Sequence, residues 1–175
     1  SRLLAHSGFA VLRDSWRPES LYLILDAGSP WGSHGYPGKL SFILWGHGAP
    51  LALQPGSPAS YALPVYGQWC RQTASHNTVL VNGRSPKPPF TAAVDAWHAL
   101  GRIGYVRAST DIYQASDGVV HERHVAHRRG EYFLVVDRLR AARTAELTWL
   151  FHCPLPLQVN ADRSVNTPPG QPGVL

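Results

Sequence analysis

The amino-acid sequence predicts an all-β chain, an antiparallel β-sandwich of roughly ten to twelve strands with few or no helices. Three observations carry this. The apolar runs are short and rich in β-branched and aromatic side chains, a pattern that favours strands over helices. Dipeptides suited to tight turns stand between several of them. The 16 Gly and 15 Pro fall mostly outside the runs.

In chain order the runs are 9–13 (Phe-Ala-Val-Leu-Arg), 21–26 (Leu-Tyr-Leu-Ile-Leu-Asp) and 40–45 (Leu-Ser-Phe-Ile-Leu-Trp). Further on come 78–81, 119–127, 132–137 and 147–151. Asn82-Gly83 and Asp117-Gly118 tolerate the positive φ angles of hairpin turns, and Arg129-Gly130 does so more weakly. Residues 138–147 are the one stretch expected to be helical. Two stretches read as long loops: 28–38, rich in glycine and containing His34, and 54–66, rich in Pro, Ser and Tyr. Loops of this length in a compact domain are often functional.

Composition bounds the rest. A length of 175 residues suits one domain with a sizeable core. With 15% charged and 44% hydrophobic residues, the chain is not disordered by composition. No apolar run is long enough for a transmembrane helix, and the first residues are too short for a signal peptide. The chain opens on Ser1 and contains no methionine, so a processed chain or a piece of a longer protein is expected. Residues 1–160 are read as the domain and 161–175, which include Thr167-Pro168-Pro169-Gly170, as a linker or truncated end. Cys70 and Cys153 are either buried free thiols or one disulfide.

The formal charge is +5, with 14 Arg and only Lys39 and Lys87. This excess reflects either an Arg-rich genome or an anionic ligand, because the guanidinium fork matches carboxylate and sulfate. No block of four basic residues occurs, so a nucleic-acid partner is not expected.

Several side chains qualify for chemistry. His34, among glycines, is either an exposed loop histidine or an acid/base group beside substrate. His76, before the strand at 78–81, is either a structural histidine or a metal ligand. His121, His124 and His127 read as part of a surface strand, with 121 and 127 on one face and 124 on the other. They therefore do not form a ready zinc site. The usual hydrolase, zinc and phosphate-loop motifs are absent.

Taken in order, the segments Ser7-Gly8-Phe9-Ala10-Val11-Leu12-Arg13, 21–28, His34-Gly35-Tyr36, Lys39-Leu40-Ser41-Phe42, 48–53, 71–79, 132–139 and Trp149-Leu150-Phe151-His152 resemble a known family. It is the C-terminal β-sandwich of the heparinase II/III-like polysaccharide lyases, which include alginate and oligoalginate lyases. The resemblance implies a fragment of a larger toroid-plus-sandwich protein. In such a protein an N-terminal α/α toroid and the sandwich enclose an acidic polysaccharide, and the uronic acid is cleaved by β-elimination. It further implies His34 and Tyr61 as catalytic groups, with Tyr66 a rival to Tyr61, and His34, Tyr66 and Arg71 as substrate-binding residues. It places His76 at a structural zinc site whose other ligand positions are Tyr36 and Gln54 here. Neither suits zinc, so no metal or cofactor is expected, and His76 is expected to hydrogen-bond Gln54 or Tyr36 as a loop anchor. Without the toroid the chain is not expected to be an active lyase. The alternative is a non-catalytic carbohydrate-binding or structural sandwich of the same descent. Export to the periplasm or the extracellular space is implied by resemblance alone.

Overall fold

The computed structural model describes residues 1–28 and 35–167. Two antiparallel sheets face each other, as the short alternating runs require. The first is a five-stranded meander in sequential order: β1 (Arg2–Leu4), β2 (Phe9–Arg13), β3 (Tyr22–Asp26), β4 (Phe42–Gly46) and β5 (Ala49–Ala52). After β5 come a π-helical turn at Tyr66–Cys70, a 3-10 turn at Thr73–Ser75 and β6 (Val79–Val81). The second sheet is β7 (Ala92–Leu100), β8 (Ile103–Tyr113), β9 (Val119–Arg128) and β10 (Tyr132–Ala141), in the spatial order β10-β9-β8-β7. A one-turn helix, α1 (Gln114–Asp117), joins β8 to β9. β11 (Leu147–Trp149) pairs with β6, and β12 (Gln158–Val159) pairs with β13 (Val165–Asn166). Among the described residues no helix is long and apolar enough to cross a membrane.

The core follows from period-two alternation. Ala10 and Leu12 of β2, Leu23 and Leu25 of β3 and Phe42 of β4 meet Val106 and Ala108 of β8 and Val125 of β9 in one buried cluster. Gly104 permits the close approach of the layers, since a Cβ there would lie 2.8 Å from Leu12 Cδ2. A smaller cluster of Val81, Phe90, Ile112, Tyr113 and Val119 closes the end near α1.

Of the three turn dipeptides, Arg129-Gly130 closes the expected hairpin, turning β9 into β10. Asn82 and Gly83 take positive φ after β6, but the strand paired with β6 is the distant β11, and Asp117-Gly118 ends the one-turn helix α1 instead of forming a tight hairpin turn. Residues 138–147 are not helical. β10 continues to Ala141 because Arg138 pairs with Glu122 and Arg140 with Val120 on β9, and cross-strand pairing overrides local helix preference. The 119–127 segment is not a surface strand either. β9 lies between β8 and β10, with His121, Arg123, Val125 and His127 buried and His124 on the opposite face. Cys70 is buried and Cys153 half-buried, and both are unpaired.

Candidate functional site

The site is assembled around the loop that leaves β3. Its first root is clamped by Asp26, whose Oδ1 accepts the Gly28 N–H (2.9 Å) and whose Oδ2 pairs with the Lys39 ammonium (3.0 Å). Lys39 is only 6% exposed, so this ion pair closes both ends of the loop in a largely dry setting. His34 lies outside the described residues.

The second root is held by the segment from 71 to 78. Three side chains donate to three carbonyls along the returning chain. Arg71 Nη2 bonds Gly35 O (3.1 Å), Thr73 Oγ1 bonds Pro37 O (2.9 Å) and Thr78 Oγ1 bonds Lys39 O (2.8 Å). Asn77, fully buried, extends the tie to the five-stranded sheet. Its Nδ2 donates to Phe42 O and Leu53 O, and its Oδ1 accepts the His152 N–H. Each of these groups would otherwise be buried without a partner.

His76 sits under this loop at 3% exposure. Its Nδ1 lies 2.8 Å from Gln72 O and 3.1 Å from Ser75 Oγ. A carbonyl accepts only from a protonated nitrogen, so the Nδ1–H tautomer is selected. Burial lowers the His76 pKa and keeps the ring neutral, although the Gln72 carbonyl and Asp26 pull the other way. Gly38 packs flat on the ring, and a Cβ there would come within 2.4 Å of His76 Cγ.

The hydrogen bond expected from His76 to Gln54 or Tyr36 is not made. Tyr36 touches His76 through its ring, with centroids 5.8 Å apart. Gln54 does not bond His76; its amide donates to Ser41 Oγ at 2.8 Å. The partner of the imidazole is instead a backbone carbonyl four residues upstream, supplied by the tight turn before it. A tyrosine ring in tilted contact with the imidazole and an amide turned to a serine are not a zinc donor set. Among the described residues no group of three or more His, Cys, Asp or Glu comes together.

The two rival tyrosines are neighbours. The Tyr61 and Tyr66 rings stack with centroids 4.6 Å apart, Tyr66 buried and Tyr61 56% exposed. The Arg71 guanidinium carbon lies 5.8 Å from the Tyr66 ring centroid. Tyr61, Tyr66 and Arg71 therefore form one row that ends on Gly35, the residue after His34. A hollow of about 410 Å³ opens beside it, lined by Gly35, Pro37, Arg71, Gln72, Lys87 and Phe90, among others. Sequence reasoning missed Asp26, Lys39, Thr73 and Lys87. Lys39 and Lys87 carried a visible signal as the two lysines, and Lys87 is in addition enclosed by prolines (Pro86-Lys87-Pro88-Pro89).

Fold and site together define a β-sandwich with a row of aromatic and basic side chains beside the returning root of a glycine-rich segment. The comparisons with known proteins make the class specific. The model of the heparinase II/III-like C-terminal domain matches residues 1–167, and the chain belongs to that family. A heparin-sulfate lyase from Bacteroides stercoris is 26% identical over 154 residues, and one from Pedobacter heparinus is 25% identical over 150. These alignments cover 85% and 84% of this chain but only 22% of each relative. A solved heparinase III structure superposes with a TM-score of 0.81 at 24% identity, over 92% of this chain and 25% of that one. The heparan sulfate lyase structure from Pedobacter heparinus gives 0.81 at 22% identity, over 95% and 26%.

Proposed function

We propose that this chain is the sandwich half of a polysaccharide lyase that cleaves uronic-acid-containing polysaccharide by β-elimination. The observation that carries the reading is the Tyr61–Tyr66–Arg71 row, hung on the loop that bears His34, in a chain whose relatives are named heparin-sulfate lyases. In such a reaction a base removes the proton at C5 of the uronic acid. The electron pair forms the C4–C5 double bond, and the C4–O bond breaks as its oxygen takes a proton. The C6 carboxylate must be neutralised for C5 to lose its proton.

His34 and Tyr61 are assigned as the sandwich's share of the acid/base pair. Tyr66 and Arg71 hold the anionic sugar, and His76 and Tyr36 fasten the loop beneath. The curated relatives are several times longer than this chain, which supports a partner domain of the same protein, an α/α toroid, as the other wall of the cleft. The chain by itself is then half a site. Export to the periplasm or the outside of the cell is part of this proposal, as the family resemblance implies.

In the intact protein, unsaturated product absorbs in the ultraviolet and reports turnover on a panel of uronates. Tyr61→Phe and His34→Ala are each expected to lower kcat by about 100-fold or more, with an unchanged circular dichroism spectrum. Wild-type-like turnover in Tyr61→Phe would remove that residue from the chemistry.

The donor set around His76 favours a second reading in one respect, a non-catalytic carbohydrate-binding sandwich of the same descent. Both readings share the proposal that the loop is fastened without zinc. Elemental analysis of purified protein should find well under one zinc per chain. A stoichiometric, chelator-resistant zinc would overturn this.

A further inference from the structure

We infer that the hollow beside the tyrosine row is an anion subsite in which Arg71 and Lys87 together hold one sulfate or carboxylate group of a saccharide. This rests on the carbohydrate reading above and adds to it a second cation and a ligand group.

Five observations carry it. The hollow, about 410 Å³, has room for a sugar ring and its substituent, and no carboxylate lines it. Neither Arg71 nor Lys87 makes an ion pair among the described residues, while Lys39, Arg84, Arg102, Arg107, Arg123, Arg128 and Arg138 all do. Two cations that line one hollow without an ion-pair partner among the described residues attract an oxyanion.

Arg71 is also pre-aimed. Gly35 O takes one of its Nη2 donors, and the Tyr66 ring lies under the guanidinium. The remaining fork meets an oxyanion without having to find its rotamer on binding. Lys87 stands between Pro86 and Pro88, with Pro89 next, and each ring fixes its own φ. Its backbone is therefore presented stiffly, and only the side chain remains to be ordered. Phe90, 7% exposed and buried in the α1-end cluster, supplies an apolar wall against which the hydrophobic face of a sugar ring can lie.

A sulfate and a uronate carboxylate offer the same fork of oxygens, so the test must separate them. Binding is measured by calorimetry on this chain with three probes: a sulfated heparan-type oligosaccharide, its chemically desulfated counterpart, and a neutral oligosaccharide of equal length. Lys87→Gln and Arg71→Gln should each weaken the anionic probe about tenfold or more. Lys87→Glu should abolish binding. Arg140→Gln removes the same charge from the exposed end of β10 and should leave the affinity unchanged. Tight binding of the sulfated probe alone assigns the subsite to sulfate. Equal binding of both anionic probes assigns it to carboxylate.

Neutral and anionic probes binding equally would overturn the inference. So would no measurable binding, or losses in Lys87→Gln and Arg71→Gln no larger than in Arg140→Gln. Arg71→Gln also loosens Gly35, so Lys87→Gln, which touches no loop contact among the described residues, is the decisive variant. Failure of the lyase reading appears separately, as no unsaturated product from the intact protein whatever this chain binds.

Discussion

Arg123→Met is expected to destabilise the domain by about 3–5 kcal/mol, lowering Tm by on the order of 10 °C. Arg123 is fully buried at the centre of β9. Its guanidinium grips Asp137 of β10 with two bonds, Nε to Oδ1 at 2.7 Å and Nη2 to Oδ2 at 2.9 Å. Nη1 reaches across the sandwich to Leu40 O (2.6 Å) and Asn77 O (2.7 Å). Asp137 also meets His121 Nε2 at 2.6 Å and accepts the Trp149 indole N–H at 2.9 Å. One ion pair thereby joins β9, β10 and β11 to Leu40 on the returning root of the loop and to Asn77 in the segment that holds it.

Removing Arg123 leaves the Asp137 charge without its main partner in a desolvated place and orphans two carbonyls. Burial raises the Asp137 pKa, but the bonds from His121 and Arg123 outweigh it and hold the carboxyl well below the usual range. Because the cost comes chiefly from the stranded charge, Arg123→Met with Asp137→Leu should recover part of the loss. Urea denaturation measures both variants. A single variant within about 0.5 kcal/mol of wild type would contradict the role given to the pair.

The second large effect is expected from pH. His76, His121 and His127 are buried, and burial lowers the pKa of each. At His121 the Asp137 carboxylate opposes the shift and Arg123 adds to it. His127 lies 2.9 Å from Asp14, close enough for attraction, but neither ring nitrogen is aligned for a hydrogen bond. Its ring stacks on Phe133 at 4.2 Å, with Arg129 and the N-terminal ammonium also nearby.

In the unfolded chain these imidazoles take up protons near about pH 6.5, and in the fold only at lower pH. Below that value the unfolded state binds more protons, so stability falls as pH falls. Tm should therefore drop between pH 7.5 and 5. Asp117 contributes later. Burial pushes its pKa up, but bonds from Ser116, Arg84 and Asn82 bring it down to about 2, so its stabilisation is lost only as pH falls from the ordinary carboxylate range toward that value. His127→Phe should flatten the slope between pH 7.5 and 5. A Tm that stays level or rises on acidification to pH 5 would count against neutral buried histidines.

Much of the fold was readable along the chain. The runs at 21–26 and 132–137 became β3 and β10, and the 119–127 segment became β9 with its faces assigned correctly. Alternation of apolar residues is a local property and survives without knowledge of neighbours. Residues 138–147 misled because Arg and Ala favour a helix locally, while the register with β9 keeps 138–141 extended. The central position of β9 was hidden for the same reason. Strand order depends on which chains pair, and no single run reports that.

The site was legible in part. Tyr61, Tyr66 and Arg71 come together as one row, and His76 does lie beneath the loop against Tyr36. Its hydrogen-bond partner was misplaced, since Gln54 turns to Ser41 and the Gln72 carbonyl takes the imidazole. Both alternatives were chemically sound, and distance alone separates them.

Sequence pattern was enough to set several strands, β2, β3, β4, β9 and β10 among them, because side-chain alternation is written into consecutive residues, whereas β7 and β8 stood in no run that was singled out. The partners of the buried polar groups came from the three-dimensional packing. Asp26 finds Lys39, Arg123 finds Asp137, Leu40 and Asn77, and Arg71 lines the same hollow as Lys87. A desolvated charge or carbonyl must be matched by whatever segment the fold brings alongside it. That segment is as many as 83 residues away in the chain for Arg123 and Leu40.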